Sequence, residues 1–513
     1  MARTISVMDL KKSKEKLSSL IHPYFKQYGL LSTASYYLGV LCIMMALLLL
    51  VPALMAYILD SDFVLTTCFI IPSIVSGAIG ISLVILFEKH ELYLGAAITL
   101  AAVAWLVIAI LGGLPFWLAR HFIGPEIGLT FINSVFESMS GFTATGLTMY
   151  GMRVEDPGLP YSILFWRSLI QWVGGVGVIV LFLSVLVVRT GTVAHRLYLA
   201  EGRSHRLVPS VVKTTRRIWA IYAGYTAMLA ILLYFLGMPF FDSVNHSMTA
   251  LATGGFSVKN YSIMTYRLEA HQNAFWLEAA IMPFMVLGGI SFAMHHQLVI
   301  GNVKEFFKNI EVKAIFIIIL ISTIILTISL GMTLDSVRYG SFQVITALTG
   351  TGFNTAPVET WTDFQKFILT ILMIFGGGYG STASALKLIR VVIIFYALIW
   401  LVKKQILPQS VNHPMKAGKN FYRHEEIMDV AIYAVLYLIV LVGGALVFMA
   451  GGASGVDAMF EVASAEGNVG LSVGLTSATM PWWEKITLII EMWAGRLEIF
   501  PVLVLLTAPF RKY

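Results

Sequence analysis

Long apolar stretches separated by short polar segments dominate the hydrophobic pattern of this 513-residue chain. A helix needs roughly 20 consecutive apolar residues to cross a bilayer. Stretches of about that length lie at residues 34–59, 66–87, 92–118, 161–188, 218–237, 273–299, 313–331, 365–400, 425–450 and 482–508. The pattern therefore predicts an all-α polytopic membrane protein with ten transmembrane helices.

The basic residues orient these helices. An even number of spans places both termini on the same side of the membrane. If the N-terminus is inside, 24 of the 35 Lys and Arg residues fall in inner segments and 7 in outer segments. Cytoplasmic loops carry such an excess of basic residues. We therefore predict that both termini are cytoplasmic.

The composition agrees with a membrane protein. Hydrophobic residues make up 58% of the chain and charged residues only 12%, with a mean hydropathy of +0.81. Soluble domains average about 45–50% apolar and about 25% charged residues, so an ordinary cytosolic enzyme or a nucleic-acid-binding module is excluded. The two cysteines, Cys42 and Cys68, imply no disulfide framework.

A similar segment recurs in the four outer connections that follow the first two spans. The segments lie at residues 131–148, 241–257, 342–355 and 456–472, and each opens with about three turns of apolar residues at helical spacing. Each segment then breaks at a turn rich in Thr and Gly. Alignment on the shared glycine gives Gly146, Gly254, Gly352 and Gly470, at intervals of 108, 98 and 118 residues.

Such segments are too short to span a membrane and are typical of re-entrant helices. Non-helical backbone at membrane depth is tolerated where it lines a water-filled cavity or is buried in protein. Four such loops around one axis would present rings of backbone carbonyls, which can replace the hydration shell of a monovalent cation. The predicted filter residues are Thr143, Ala144, Thr145, Gly146, Leu251, Ala252, Thr253, Gly254, Thr349, Gly350, Thr351, Gly352, Gly467, Asn468, Val469 and Gly470.

This repeat divides the chain into segments. Each repeat unit is a span, a short pore helix, a filter loop and a second span, and the four units surround one central pore. The predicted boundaries are a cytoplasmic segment 1–33, an extra helix pair 34–91, and pore repeats at 92–200, 201–312, 313–412 and 413–513.

The motifs SGFTATGLT, ALATGGFS, LTGTGF and EGNVGLSVGL resemble the filter loops of the Trk/Ktr/HKT superfamily of potassium transporters. The stretch FWRSLIQWVGGVG after the first loop and the extra helix pair resemble its TrkH-like branch. The resemblance covers about residues 92–513 through the repeats. It implies a potassium-uptake subunit in a prokaryotic plasma membrane, with one pore in each subunit of a homodimer.

Two further elements resemble gating parts of that family. Gly376, Gly377, Gly378 and Gly380 would break a helix in mid-membrane, and the resemblance implies a gate below the filter. A packing face for a neighbouring helix is the alternative. Ala383, Ser384 and Ala385 stand where relatives often continue with glycines. The resemblance also makes Arg496 an electrostatic barrier to cations, with a buried pair to a carboxylate as the alternative.

The remaining polar residues allow more than one interpretation. Acidic residues near the short helices could concentrate cations or could be helix caps and solvated charges: Glu137, Asp242, Asp457, Glu461 and Glu466. Packing or interface roles are favoured for His246, His295 and His296, because no cysteine or carboxylate lies at ligand spacing.

The sequence favours transport over catalysis. Glycine at all four aligned positions favours potassium over sodium, and no nucleotide or catalytic constellation is visible. By resemblance, a cytosolic TrkA-like ring that binds NAD or ATP would gate the pore. Its docking surface would be the basic loops 189–217 and 403–424, although anionic lipid explains these loops equally well. A potassium carrier coupled to proton or sodium symport stays open, and a scaffold or membrane enzyme is disfavoured.

Overall fold

The computed structural model describes residues 29–89, 94–155, 158–177, 211–406, 414–418 and 420–507. Its helices are α1 (Gly29–Ile58), α2 (Phe63–Leu86), α3 (Leu94–Phe122), α4 (Phe131–Phe142), α5 (Tyr161–Val176), α6 (Val211–Phe235), α7 (Phe240–Leu251), α8 (Met264–Leu268), α9 (Ala274–Gly289), α10 (Phe292–Val299), α11 (Val303–Lys308), α12 (Ile310–Ser329), α13 (Leu334–Thr349), α14 (Asp363–Phe375), α15 (Leu388–Ile406), α16 (His424–Ala450), α17 (Gly455–Glu466), α18 (Trp482–Arg496) and α19 (Phe500–Thr507). A two-stranded antiparallel hairpin, β1 (Met415–Ala417) and β2 (Asn420–Tyr422), precedes α16.

Six uninterrupted helices in the described ranges are long and apolar enough to cross a membrane, namely α1, α2, α3, α6, α12 and α16. A seventh candidate is the pair α9 and α10, which is bent by 110° at a break of a few residues. The protein is thus an all-α membrane protein with at least six or seven candidate spans.

Four of the predicted spans are interrupted. The stretch 161–188 leaves the helix at Gly177, which has a φ of 106°, and the rest of that stretch lies outside the described residues. The stretch 273–299 breaks between α9 and α10, the stretch 365–400 between α14 and α15, and the stretch 482–508 between α18 and α19. The sequence pattern predicted only the third break, which has four glycines. The first break has Gly174, Gly175 and Gly177 and the second has Gly288 and Gly289, so shorter glycine groups did not separate a break from a continuous helix.

The predicted short helices are present in all four outer connections. The helices α4, α7 and α17 have 12 residues each, and α13 has 16. Side-chain caps start two of them, because Ser454 accepts from the Asp457 amide and Thr333 from the Ser336 amide. The side chains of all four helices are largely buried, although three of the helices are too short to cross a bilayer.

The buried side chains form one large hydrophobic cluster that runs through the helices, and a small second cluster joins α15 to the hairpin. The outer faces of the long helices are apolar and uncovered. Phe235 on α6 is 80% exposed and Leu320 on α12 is 62% exposed. A soluble protein rarely leaves such faces open, so these faces suit contact with lipid.

Candidate functional site

The four filter loops share one hydrogen-bond pattern. The residue before the ring glycine donates its amide hydrogen to a carbonyl five residues earlier in the short helix. The pairs are Thr145 to Ser140, Gly254 to Thr249, Thr351 to Thr346 and Val469 to Ser464, all at 2.8–2.9 Å. Each loop therefore leaves its helix along the same path.

The backbone angles define the register of the loops. Two positions in each loop are left-handed, with one residue between them: Ala144 and Gly146, Thr253 and Gly255, Gly350 and Gly352, Asn468 and Gly470. The second position has φ between 73° and 97° and is glycine in all four loops. The sequence alignment on Gly254 is therefore wrong by one residue, because the glycine equivalent to Gly146 is Gly255.

These four glycines close a ring of backbone. A side-chain carbon on any of them would overlap the carbonyl oxygen of the neighbouring loop. The overlaps are Gly146 with Gly254, Gly255 with Thr351, Gly352 with Val469 and Gly470 with Thr145. Each loop thus packs its backbone against the next loop in a closed cycle of four, at positions where only glycine fits. The ring glycines also line an outer cavity of 170 Å³.

Side chains hold the loops from behind. The amide hydrogens of Gly146 and Gly470 are donated to Ser140 Oγ and Ser464 Oγ, at 3.0 and 2.9 Å. Gln171 on α5 clamps the second loop: its Nε2 donates to the Gly254 carbonyl at 2.5 Å, and its Oε1 accepts from the Phe256 amide at 2.9 Å. Gln171 lies inside the FWRSLIQWVGGVG stretch, but its role could not be predicted without knowing which loop it faces.

The fourth loop is bound to its surroundings by Asn468. Its Nδ2 donates to Thr145 Oγ1 at 2.9 Å, to the Met492 carbonyl at 2.9 Å and to the Ala465 carbonyl at 3.2 Å. The corresponding positions in the other loops carry Ala144, Thr253 and Gly350. The four loops therefore share one backbone conformation but differ in the side-chain hydrogen bonds that hold them.

Two buried glutamates stabilise the outer ends of the first and fourth loops. Glu137 accepts from Arg167 Nε at 2.8 Å and from the Met149 amide at 2.7 Å. Glu461 accepts from Ser472 Oγ at 2.7 Å and from the Val473 amide at 3.1 Å. Both side chains are fully buried. Glu137 and Glu461 are therefore neither solvated charges nor helix caps, two of the roles that the sequence allowed.

The other predicted polar residues are engaged locally. Asp242 accepts from Tyr266 Oη at 2.9 Å, and Asp457 accepts from Lys366 Nζ at 2.8 Å. His246 contacts Ser257 Oγ at 2.9 Å through Nε2 and packs against Tyr266. These contacts agree with the packing role expected for this histidine.

One lysine lies in the wall of the outer cavity. Lys259 forms an ion pair with Glu155 at 3.1 Å and approaches Asp242 at 4.0 Å. Partial burial opposes its charged form, but the hydrogen bond and negative charge of Glu155, with help from Asp242, raise the pKa of Lys259. The lysine charge is thus balanced locally by two carboxylates, which lowers its repulsion of entering cations.

The segment between α14 and α15 forms a loop directly below the second filter loop. It begins at Gly376, where φ is 63°, and includes Gly377, Gly378 and Gly380. Thr382 Oγ1 donates to the Gly288 carbonyl at 2.8 Å and receives the Thr253 hydroxyl at 3.1 Å. Ala383, Ser384 and Ala385 are all buried in this loop.

Arg496, at the end of α18, ties this loop to the end of α5. Its Nη1 donates to the Thr382 carbonyl at 2.9 Å and to Ser384 Oγ at 3.2 Å. Its Nη2 donates to the carbonyls of Gly174 and Gly175. A cavity of only 30 Å³ remains among these groups, and Lys387 lines it as well. The side chains of Arg496 and Lys387 and the loop between α14 and α15 therefore lie below the ring. Glu498, two residues after Arg496, pairs with Arg390.

Comparison with known proteins identifies this arrangement. A family model described as TrkH, cation transport protein, matches residues 65–510. The chain belongs to the TrkH family. An uncharacterized cation transporter of Methanocaldococcus jannaschii is 36% identical over 445 residues, which cover 86% of this chain and 89% of that protein.

Other TrkH-family proteins cover similar lengths. The Trk system potassium uptake protein TrkH of Salmonella typhimurium is 30% identical over 82% of this chain and 87% of its own. The crystal structure of the potassium transporter TrkH from Vibrio parahaemolyticus has a TM-score of 0.81 at 26% identity, covering 94% of this chain and 99% of that one.

Membership of the TrkH family confirms three predictions from the sequence. The protein is a cation transporter, it crosses the membrane several times, and it is not an enzyme. In the described part of the chain no group of three or more His, Cys, Asp or Glu side chains could hold a metal ion.

Proposed function

We propose that this protein takes up potassium across the plasma (inner) membrane of a prokaryote, through a channel-like pore. The observation that carries the proposal is the closed ring of Gly146, Gly255, Gly352 and Gly470, in which each glycine packs against a backbone carbonyl of the next loop. Backbone carbonyls in such a ring can replace the hydration shell of potassium. The Salmonella and Vibrio relatives carry potassium transport in their names.

The proposed architecture has ten spans in four repeats around this ring, with the domain boundaries predicted from the sequence. The interrupted spans support it, because each filter loop is followed by a helix that breaks on the inner side. A ring supported differently in each quarter should select less sharply than one built from four identical chains. We therefore expect potassium to be preferred over sodium, with rubidium accepted.

The loop that contains Gly376, Gly377, Gly378 and Gly380 is proposed as the gate, and Arg496 as the barrier below the filter. The hydrogen bonds from Arg496 to Thr382 and Ser384 support this assignment, because they hold the loop across the path below the ring. The small cavity beside them is lined by Arg496 and Lys387. These contacts support a closed state.

The proposed partners are a second copy of this chain and a cytosolic TrkA-like ring that binds NAD or ATP. The inner loop 403–424 is one proposed docking surface, and its described hairpin exposes Lys416 and Phe421. The other, 189–217, lies outside the described residues up to residue 210. A carrier coupled to proton or sodium symport is the alternative, but the repeats share one orientation, whereas many coupled carriers are built from inverted repeats.

The test is rubidium uptake into proteoliposomes that contain the purified chain alone, driven by an imposed membrane potential. Uptake that external potassium blocks far better than sodium supports the pore. Uptake that requires a proton or sodium gradient supports the carrier instead. Equal block by the two ions would contradict the selective ring.

A further inference from the structure

A pair of buried glutamates behind the fourth filter loop has no role in the proposed pore. Glu466 is the last residue of α17 and is 0% exposed, and Glu491 on α18 is 4% exposed. Both carboxylate oxygens of Glu466, and Oε2 of Glu491, lack a hydrogen-bond partner within the described residues. Buried polar groups are nearly always hydrogen-bonded, so this site needs an explanation.

The two glutamates lie where three helices pack together: the Glu466 backbone meets Gly495, one turn after Glu491 on α18. Glu491 packs against Gly444 on α16, where a side-chain carbon would also meet Val462 of α17 at 2.7 Å. Glu466 is within electrostatic range of Glu491, and Tyr437 of α16 is within range of both. The hydroxyl of Tyr437 is fully buried and has no partner either.

Among the residues that the structure describes, no ion pair joins a basic side chain to either carboxylate. Tyr433 and Tyr437 face it from α16, and Arg390 stacks on the outer side of Tyr433 at 4.0 Å. The other titratable groups on the helices around the pair engage elsewhere: Glu137 with Arg167, Lys366 with Asp457, Glu461 with Ser472, Lys485 with the Ala478 carbonyl, Arg390 with Glu498, and Arg496 with Thr382. Glu484 lies two turns away on α18, towards the outside.

Two neighbouring carboxyl groups in a low-dielectric site cannot both carry a negative charge without a cation. We propose that Glu466 and Glu491 form a proton-binding site in which at least one of the two buried carboxyl groups holds a proton. The bound proton removes one of two negative charges that would otherwise lie side by side away from water.

The proton site touches the fourth filter loop at two points. Gly467 follows Glu466 directly, and Gly495 packs on the Glu466 carbonyl. Asn468 donates to the carbonyl of Met492, the residue after Glu491. A second proton would remove the negative charge of the pair beside the ring and weaken its attraction for cations. We therefore expect cation flux to rise as the pH rises. This expectation rests on the proposed pore.

Infrared difference spectra between acidic and alkaline pH test the site itself. The wild type should show the carbonyl stretch of a titrating carboxylic acid, and the double variant Glu466→Gln with Glu491→Gln should lose it. Each single variant keeps one carboxyl group and should show the signal at a shifted pH. Glu484→Gln, on the same helix but outside the pair, should leave the signal unchanged and serves as the matched control. A wild-type signal that survives in the double variant would overturn the proposal.

Rubidium uptake measured against pH tests the link to transport. The wild type should gain flux several-fold towards alkaline pH. The double variant Glu466→Gln with Glu491→Gln has no carboxyl group left in the pair and should give a flat profile near the acidic wild-type rate. An unchanged profile in the double variant refutes the link. A wild type without potassium-selective uptake refutes the proposed pore, whereas the infrared result still decides the proton site.

Discussion

Two adjacent glycines in the second filter loop have different surroundings. Gly255 is left-handed, and a methyl group there would overlap the Thr351 carbonyl. A methyl group on Gly254 would meet only the Gln171 side chain, at 2.6 Å, which can shift. The shared letters of the motif could not separate the two glycines, because the difference is one of backbone angle.

The first prediction follows from this difference. Gly255→Ala should lower rubidium uptake by about tenfold or more, because a left-handed alanine alone costs roughly 1–2 kcal/mol and the overlap adds to that cost. Gly254→Ala is the comparison variant and should lower uptake by less than Gly255→Ala, because its methyl group displaces the Gln171 side chain rather than backbone. An equal loss of rubidium uptake in the two variants would contradict the assignment of Gly255, rather than Gly254, to the ring.

The ion pair of Arg167 and Glu137 gives the second prediction. Arg167→Met leaves Glu137 buried without a cation and should destabilise the protein by about 3–5 kcal/mol. Thermal unfolding in detergent measures the loss. The double variant with Glu137→Gln should recover most of the stability. If the double variant is no more stable than the single one, Arg167 acts through its other contacts with Thr148 and Ser257.

At the scale of elements, the apolar pattern predicted the long helices well. The predicted span 313–331 and the helix Ile310–Ser329 differ by three residues or fewer at each end. The breaks in the second spans were missed at three of four places. At the last break the chain carries the charged residues Arg496 and Glu498, but a charge in a span does not by itself show that the helix ends there. The short helices were found because they repeat.

The loop between α14 and α15 gives the third prediction. Arg496→Gln should raise cation flux several-fold, because it removes both the positive charge and most of the bonds to Thr382 and to the end of α5. Arg496→Lys separates the two causes. Lysine keeps the charge but cannot bridge four acceptors. If the hydrogen bonds of Arg496 hold the loop closed, the flux in the lysine variant should be as high as in the glutamine variant. Flux as low as wild type in the lysine variant would show that the charge alone blocks cations.

For the whole molecule, the distribution of basic residues gives an orientation that the helices themselves do not determine. The hairpin before α16 is predicted inside, and the start of α13 outside. Lys416 is exposed on the hairpin and Leu334 on α13 is 91% exposed. The native Cys42 and Cys68 are buried and give little background.

The fourth prediction tests this orientation. Lys416→Cys should react with a membrane-impermeant thiol reagent only after the vesicle interior is opened, and Leu334→Cys should react in intact cells. Each variant is the control for the other, because both sites are exposed. Labelling of Lys416→Cys in intact cells would reverse the orientation.

In the proposed gate, Arg496 also sets an energetic threshold for opening. A movement that carries the loop away from the pore axis breaks its two hydrogen bonds to Thr382 and Ser384. Hydrogen bonds to a charged group contribute about 1.5–3 kcal/mol each, so opening costs on the order of 3–6 kcal/mol at this residue. A regulator has to bind the open form more tightly by at least that margin. Part of the binding free energy of any such regulator is therefore used to break the hydrogen bonds of Arg496. A variant in which these two bonds are weaker should open with a regulator that binds less tightly.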